Sequence, residues 1–220
     1  MTETPDLIRA LAANVRPVKR LESPGRRLCA WLLLAAALTG LLAMGQGVRP
    51  DLADALRKPS FVLAVGAALL TGLLAAAACL LASLPDRSRR WLWLPALPAA
   101  VWVSTLSYGC LADWVSLDPA SLGWREALHC LSTVLLTSVP LSLALFVLLR
   151  HAAPLRPAPV TMTAGLAVSA VTSATMSVIH QLDASAMVLA WNLGTAVVLV
   201  LFDAAAGRWV LSRLALPSEL

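Results

Sequence analysis

Long apolar stretches alternate with short polar ones along the whole chain. Six stretches reach the roughly 20 residues needed to cross about 30 Å of hydrocarbon. They run Leu28–Gly47, Phe61–Leu84, Trp91–Ala112, Ala127–Leu149, Val160–Ile179 and Met187–Gly207. The fifth and sixth are the least apolar, the fifth because it is rich in Ser and Thr. Each stretch predicts a transmembrane helix, since a segment in lipid must satisfy its own backbone polar groups. The fold class expected is all-α: a polytopic membrane protein with six transmembrane helices. Residues 1–27 form an extramembrane N-terminal segment, 28–207 the bundle and 208–220 a short tail. The connecting segments are too short to hold a catalytic domain.

Composition supports this reading. Of 220 residues, 59% are hydrophobic and 13% charged, against about 25% charged in soluble domains. Too little polar surface remains to cover a soluble globule. The net charge of +5 is mainly a topology signal rather than a nucleic-acid signal. Thirteen of the 17 Lys and Arg fall in the tails and alternate loops that share one side of the membrane. That bias predicts both termini in the cytoplasm. Trp91, Trp93 and Trp209 then lie at inner ends, and Trp114 and Trp124 on the outer side, at headgroup level. Trp102 lies mid-span, as a packing residue. The first apolar stretch follows 27 mostly polar residues and has no small-residue cleavage site after it, so it reads as a retained helix.

Several positions inside the spans carry chemistry. Gly165, Ser169, Ser173 and Ser177 share one helix face, which predicts close helix packing within the bundle ahead of a dimer seam or substrate path. Pro95, Pro98 and Pro140 should kink or locally unwind their helices. Asp203 is the one acid inside a span; snorkelling or pairing with Arg208 is preferred to proton handling. Cys29 and Cys79 read as small hydrophobes, with no C-x-x-C motif in the chain. Cys110 ends the third span and Cys130 begins the fourth, at the rim predicted to face an oxidising compartment. His129 adjoins Cys130, and His180 ends the fifth span at the same depth. Three readings stay open for these groups: a soft or borderline metal held by Cys130, His129 and His180, a Cys110–Cys130 disulfide, or packing alone.

The N-terminal segment predicts a short helix. Thr4 is an N-cap residue, Pro5 suits the first turn and Asp6 favours the positive end of the dipole. Leu7, Ile8, Leu11 and Val15 make one apolar stripe, and Pro17 stops the helix. A helix of about 12 residues is marginal alone and needs a partner, either a protein groove or the lipid surface.

Ordered motifs along the chain resemble the NrsF family. They are Asp6-Leu7-Ile8-Arg9-Ala10-Leu11-Ala12-Ala13, Val18-Lys19-Arg20-Leu21, Arg49-Pro50-Asp51-Leu52 and Thr71-Gly72-Leu73-Leu74-Ala75-Ala76. Gly109-Cys110-Leu111-Ala112-Asp113-Trp114, Cys130 and Ala152-Ala153-Pro154-Leu155-Arg156-Pro157 complete the set. The resemblance implies a bacterial inner-membrane anti-sigma factor without enzymatic activity or cofactor. Its partner would be an extracytoplasmic-function sigma factor of the sigma-F type, held by Asp6, Leu7, Ile8 and Leu11, with no direct contact to nucleic acid. It implies also that Cys110 and Cys130 are sensor thiols for metal or oxidative stress. One element departs from the family. Where members carry a His-Cys-Pro-like element, this chain reads His180-Gln181-Leu182. Cys110–Cys130 pairing, or metal held with His129 and His180, would have to substitute for the missing thiol. The other function classes considered are a small transporter built around Asp203 and the proline-broken spans, and a membrane thiol oxidoreductase.

Overall fold

The computed structural model describes residues 9, 22–84, 87–113, 124–149 and 157–180, with the backbone alone for 107–113, 124–127 and 157. All secondary structure among them is helical. The long helices are α1 (Pro24–Gln46), α3 (Pro59–Ala82), α4 (Ala96–Asp113), α5 (Trp124–Leu149) and α6 (Pro157–Ile179). A one-turn helix, α2 (Leu52–Ala55), bridges α1 and α3, and a 3-10 turn at Arg89–Trp93 precedes α4. Among the described residues, four helices are long and apolar enough to cross a membrane: α1, α3, α5 and α6. They correspond to the first, second, fourth and fifth predicted spans. The sixth predicted span, Met187–Gly207, lies outside the described residues, as do Asp203 and the residues around it.

The helix starts differ from the sequence expectation for one physical reason. Proline has no backbone N–H, and the first turn of a helix needs none. Pro24 therefore opens α1 four residues before the expected Leu28, and Pro59 opens α3. In the third predicted span the helix begins at Ala96 rather than Trp91. Pro95 precedes it and Pro98 falls in its first turn, so neither interrupts a helix already formed. The chain is locally unwound ahead of them, in the 3-10 turn. α4 is 18 residues long, about 27 Å, and is not among the four membrane-length helices. Pro140 does lie inside a helix, and α5 continues through it.

α6 packs most extensively on α3 and then on α5, while α1 lies against α5, α3 and α6. The main core gathers Trp31 and Ala35 of α1, Ala75, Ala76, Cys79 and Leu80 of α3, Leu141 and Leu145 of α5, and Val160, Ala164, Ala167, Val168 and Val171 of α6. Trp31 is fully buried and donates its indole N–H to Leu141 O at 3.2 Å. Trp102 packs with Ala67, Ala68, Ala170 and Ala174, in the packing role expected of it. Small residues set the spacing. A Cβ at Gly72 would meet Val171 Cγ2 at 2.7 Å, so only glycine admits α6 this closely.

The Ser and Thr residues that lower the hydropathy of α6 point inward. Ser169, Thr172, Ser173 and Thr175 are buried, and so is Gly165. Most use the hydroxyl proton on their own helix, Thr163 on Pro159 O, Thr175 on Val171 O and Ser177 on Ser173 O. With its proton on Val171 O, Thr175 accepts from Thr39 of α1 at 2.9 Å. Cys79 is buried and donates weakly to Ala76 O, as the small hydrophobe expected, whereas Cys29 is exposed on the bundle's outside.

Candidate functional site

One end of the bundle collects polar groups from three helices. α1 ends there at Gln46, α5 begins nearby with His129, Cys130 and Thr133, and α6 ends with His180 just beyond it. Each apolar run gives out at this level, so its last turns admit polar residues at low cost. The Gln46–Gly47 end closes with a left-handed glycine, Gly47 at φ 89°, which turns the chain back toward α2.

Thr133 is the hub. Its Oγ1 lies 2.6 Å from Gln46 Oε1, 3.0 Å from His129 O and 3.1 Å from His180 Nε2. A hydroxyl has one proton, and the shorter contact directs it to Gln46. His180 Nε2–H then donates to Thr133 Oγ1, which fixes the neutral tautomer with the proton on Nε2. The His180 ring also meets the His129 ring edge to face, with centroids 5.1 Å apart and planes at 84°. Burial, and secondly the neighbouring His129, hold the pKa of His180 below its ordinary value of 6.5.

Cys130 is 1% exposed and packs against Val134 and Met176, with a free thiol. It faces the α5–α6 contact, while its neighbour His129 is exposed. The structure thus brings His129 and His180 together but does not converge Cys130 with them. Among the described residues no three His, Cys, Asp or Glu side chains form a metal-holding group. Cys110 lies near the end of α4, where the structure describes the backbone alone. Asp6, Leu7, Ile8 and Leu11 lie outside the described residues.

Two parts of this end were not singled out as site residues by the sequence. Thr133 and Gln46 read as ordinary span residues; the spacing of Thr133 four residues after His129 placed both on one helix face and was the available signal. The second part is Arg49. It is buried, forks onto Asp51 at 2.8 and 2.7 Å, and stacks 5.4 Å from the Phe61 ring. Its backbone N–H donates to Val178 O at 3.1 Å, which ties the loop after α1 to the last turn of α6. The Arg49-Pro50-Asp51-Leu52 string thus holds three segments together beside His180.

No curated protein and no solved structure matches the chain. A family model, described as negative regulator of sigma F, matches residues 11–212. The match covers nearly all of the chain, including both ends of the bundle and Leu11 of the N-terminal segment, and the chain therefore belongs to the NrsF family, the negative regulators of sigma F.

Proposed function

We propose that this chain is an anti-sigma factor of the bacterial inner membrane that sequesters an extracytoplasmic-function sigma factor. The single observation that carries the reading is the family match over residues 11–212. The apolar stripe of the N-terminal segment supports the mode of binding: Leu7, Ile8 and Leu11 enter a groove on the sigma factor and Asp6 fixes the start of the helix. Both termini lie in the cytoplasm, as the bias of Lys and Arg favours. The segment feeds into α1, which runs without a break from Pro24 to Gln46. α1 therefore connects the sigma-holding end to the polar cluster at the opposite end, and a change there acts on the same helix.

The releasing signal acts on the outer face, on the Cys110 and Cys130 thiols and the paired imidazoles of His129 and His180. Because Cys130 is buried, an oxidant or soft metal reaches it when the α5–α6 contact opens. A Cys110–Cys130 disulfide would yield two protons and two electrons to that oxidant. Release requires two states of the bundle that differ in sigma affinity.

The test is co-purification of the chain with the extracytoplasmic-function sigma factors of its own bacterium. Deleting residues 1–21, which leaves α1 intact, should abolish capture while membrane insertion persists. Capture at the original level by that variant overturns the binding mode. Capture that resists both oxidant and metal in the intact chain overturns the signal.

A further inference from the structure

We propose that the Arg27 end of α1 is a phosphate site for the headgroup of an anionic phospholipid. Arg27 is 1% exposed, and Nη1 and Nη2 have no hydrogen-bond partner among the described residues. A guanidinium keeps its charge in any protein, so it demands an anion rather than losing its proton. Cys79 of α3 and then Glu22 act on it electrostatically, but Cys79 donates its thiol to Ala76 O, Glu22 is exposed, and neither makes a hydrogen bond to it.

The surroundings suit a phosphate. Side chains on a helix lean toward its N-terminus, which carries the Arg27 guanidinium back over the first turn of α1. There the N–H groups of Gly25 and Arg26 have no intrahelical acceptor, and the helix dipole is positive. Arg27 N–H is already used on Ser23 O, and Pro24 has none. A Cβ at Gly25 would meet nothing within 4 Å, so a headgroup can approach over that residue. A phosphate diester there takes two backbone donors and a forked guanidinium, the pairing arginine makes best.

Further cations mark the same end. Arg26 is exposed beside the site, and Arg89 and Arg90 are exposed in the 3-10 turn. That turn packs on α3 and α6, two of the helices that α1 lies against. Trp91 and Trp93 of the turn are exposed, as indole rings are at headgroup level. A cluster of arginines selects a headgroup with net negative charge over a zwitterionic one carrying its own cation.

The experiment uses the full chain extracted from membranes and exchanged into mixed phosphatidylglycerol and phosphatidylcholine, with bound lipid read by native mass spectrometry. Phosphatidylglycerol should be retained over phosphatidylcholine. Arg27→Gln should cut that preference at least about fivefold, the value of one cation at the interface. Gly25→Leu blocks the approach without removing the cation and should cut it likewise, with helix content unchanged. Arg57→Gln, at the opposite end of the bundle, should leave it as it was. Equal retention of the two lipids overturns the proposal. So does a preference that survives both Arg27→Gln and Gly25→Leu, which would make a carboxylate of the chain, such as Asp86 or Asp203, the partner of Arg27. Displacement of the lipid by millimolar inorganic phosphate overturns the lipid assignment in favour of phosphate from solution. None of these readouts involves the sigma factor, so the lipid site and the regulator reading stand or fall separately.

Discussion

α1 and α6 are both helices of 23 residues, yet they occupy opposite places in the bundle. In α1, 11% of the membrane-length stretch is buried inside the protein; in α6 it is 78%. The more apolar helix lies outside, with Leu33, Leu41 and Met44 exposed, and the helix rich in Ser, Thr, Ala and Gly lies at the centre. A soluble protein would reverse this order. In lipid, a leucine gains little by moving from acyl chains to protein, so hydrophobicity does not select the core. Close approach does, together with the need to hide hydroxyls from hydrocarbon. α6 satisfies both, and its contact with Gly72 shows how close the approach is.

The comparison breaks most visibly at Trp31, the one large apolar residue that α1 buries completely. Trp31→Ala should cost about 3–5 kcal/mol, read as lost thermal stability in detergent, because it opens the core and removes the bond to Leu141 O. A small effect would mean that α1 is held by its ends alone. Next comes Gly72→Val, which drives a side chain into Val171 and should cost about 1–3 kcal/mol. Gly40→Ala on α1, where a Cβ meets nothing within 4 Å, should be neutral or stabilise by under about 1 kcal/mol. Equal effects at the two glycines would erase the difference between central and peripheral helices.

Hydroxyls give a finer test. Thr39→Val removes a bond between α1 and α6 and should cost about 0.6 kcal/mol by a double-mutant cycle with Thr175→Val. Thr172 Oγ1 is buried without a partner among the described residues, so Thr172→Val should be neutral or stabilising. The smallest effect is with pH. His180 has a folded pKa below 6.5, so the folded state binds its proton less readily than the unfolded chain. Its contribution is therefore present above pH 6.5 and is lost as pH falls through the folded value. Melting temperature should drop over that window, and His180→Asn should flatten the drop. A profile unchanged by that substitution would separate His180 from the polar cluster.

The sequence located the apolar elements because lipid imposes one solution, a continuous helix of fixed length. It mistook the start of α4 because a proline permitted in a first turn reads the same as a proline that breaks a helix. The functional groups were legible in kind but not in grouping. His129, Cys130 and His180 share one end of the bundle, yet helix rotation turns Cys130 into the α5–α6 contact and leaves only the imidazoles facing each other. Arg27 counted merely as one of 13 cations on one face, since residue type and span boundary cannot tell a buried arginine from an exposed one.

A helical membrane chain, its family and the level at which its polar residues lie could all be read before any coordinates. Length, hydropathy and ordered motifs are local properties, and lipid leaves them little freedom. The packed bundle alone decided which helix is central, which histidine meets Thr133, and which arginines are shut inside. Those follow from how each helix is rotated about its own axis, and that rotation is set by small residues and hydroxyls matching across contacts between segments far apart in the chain.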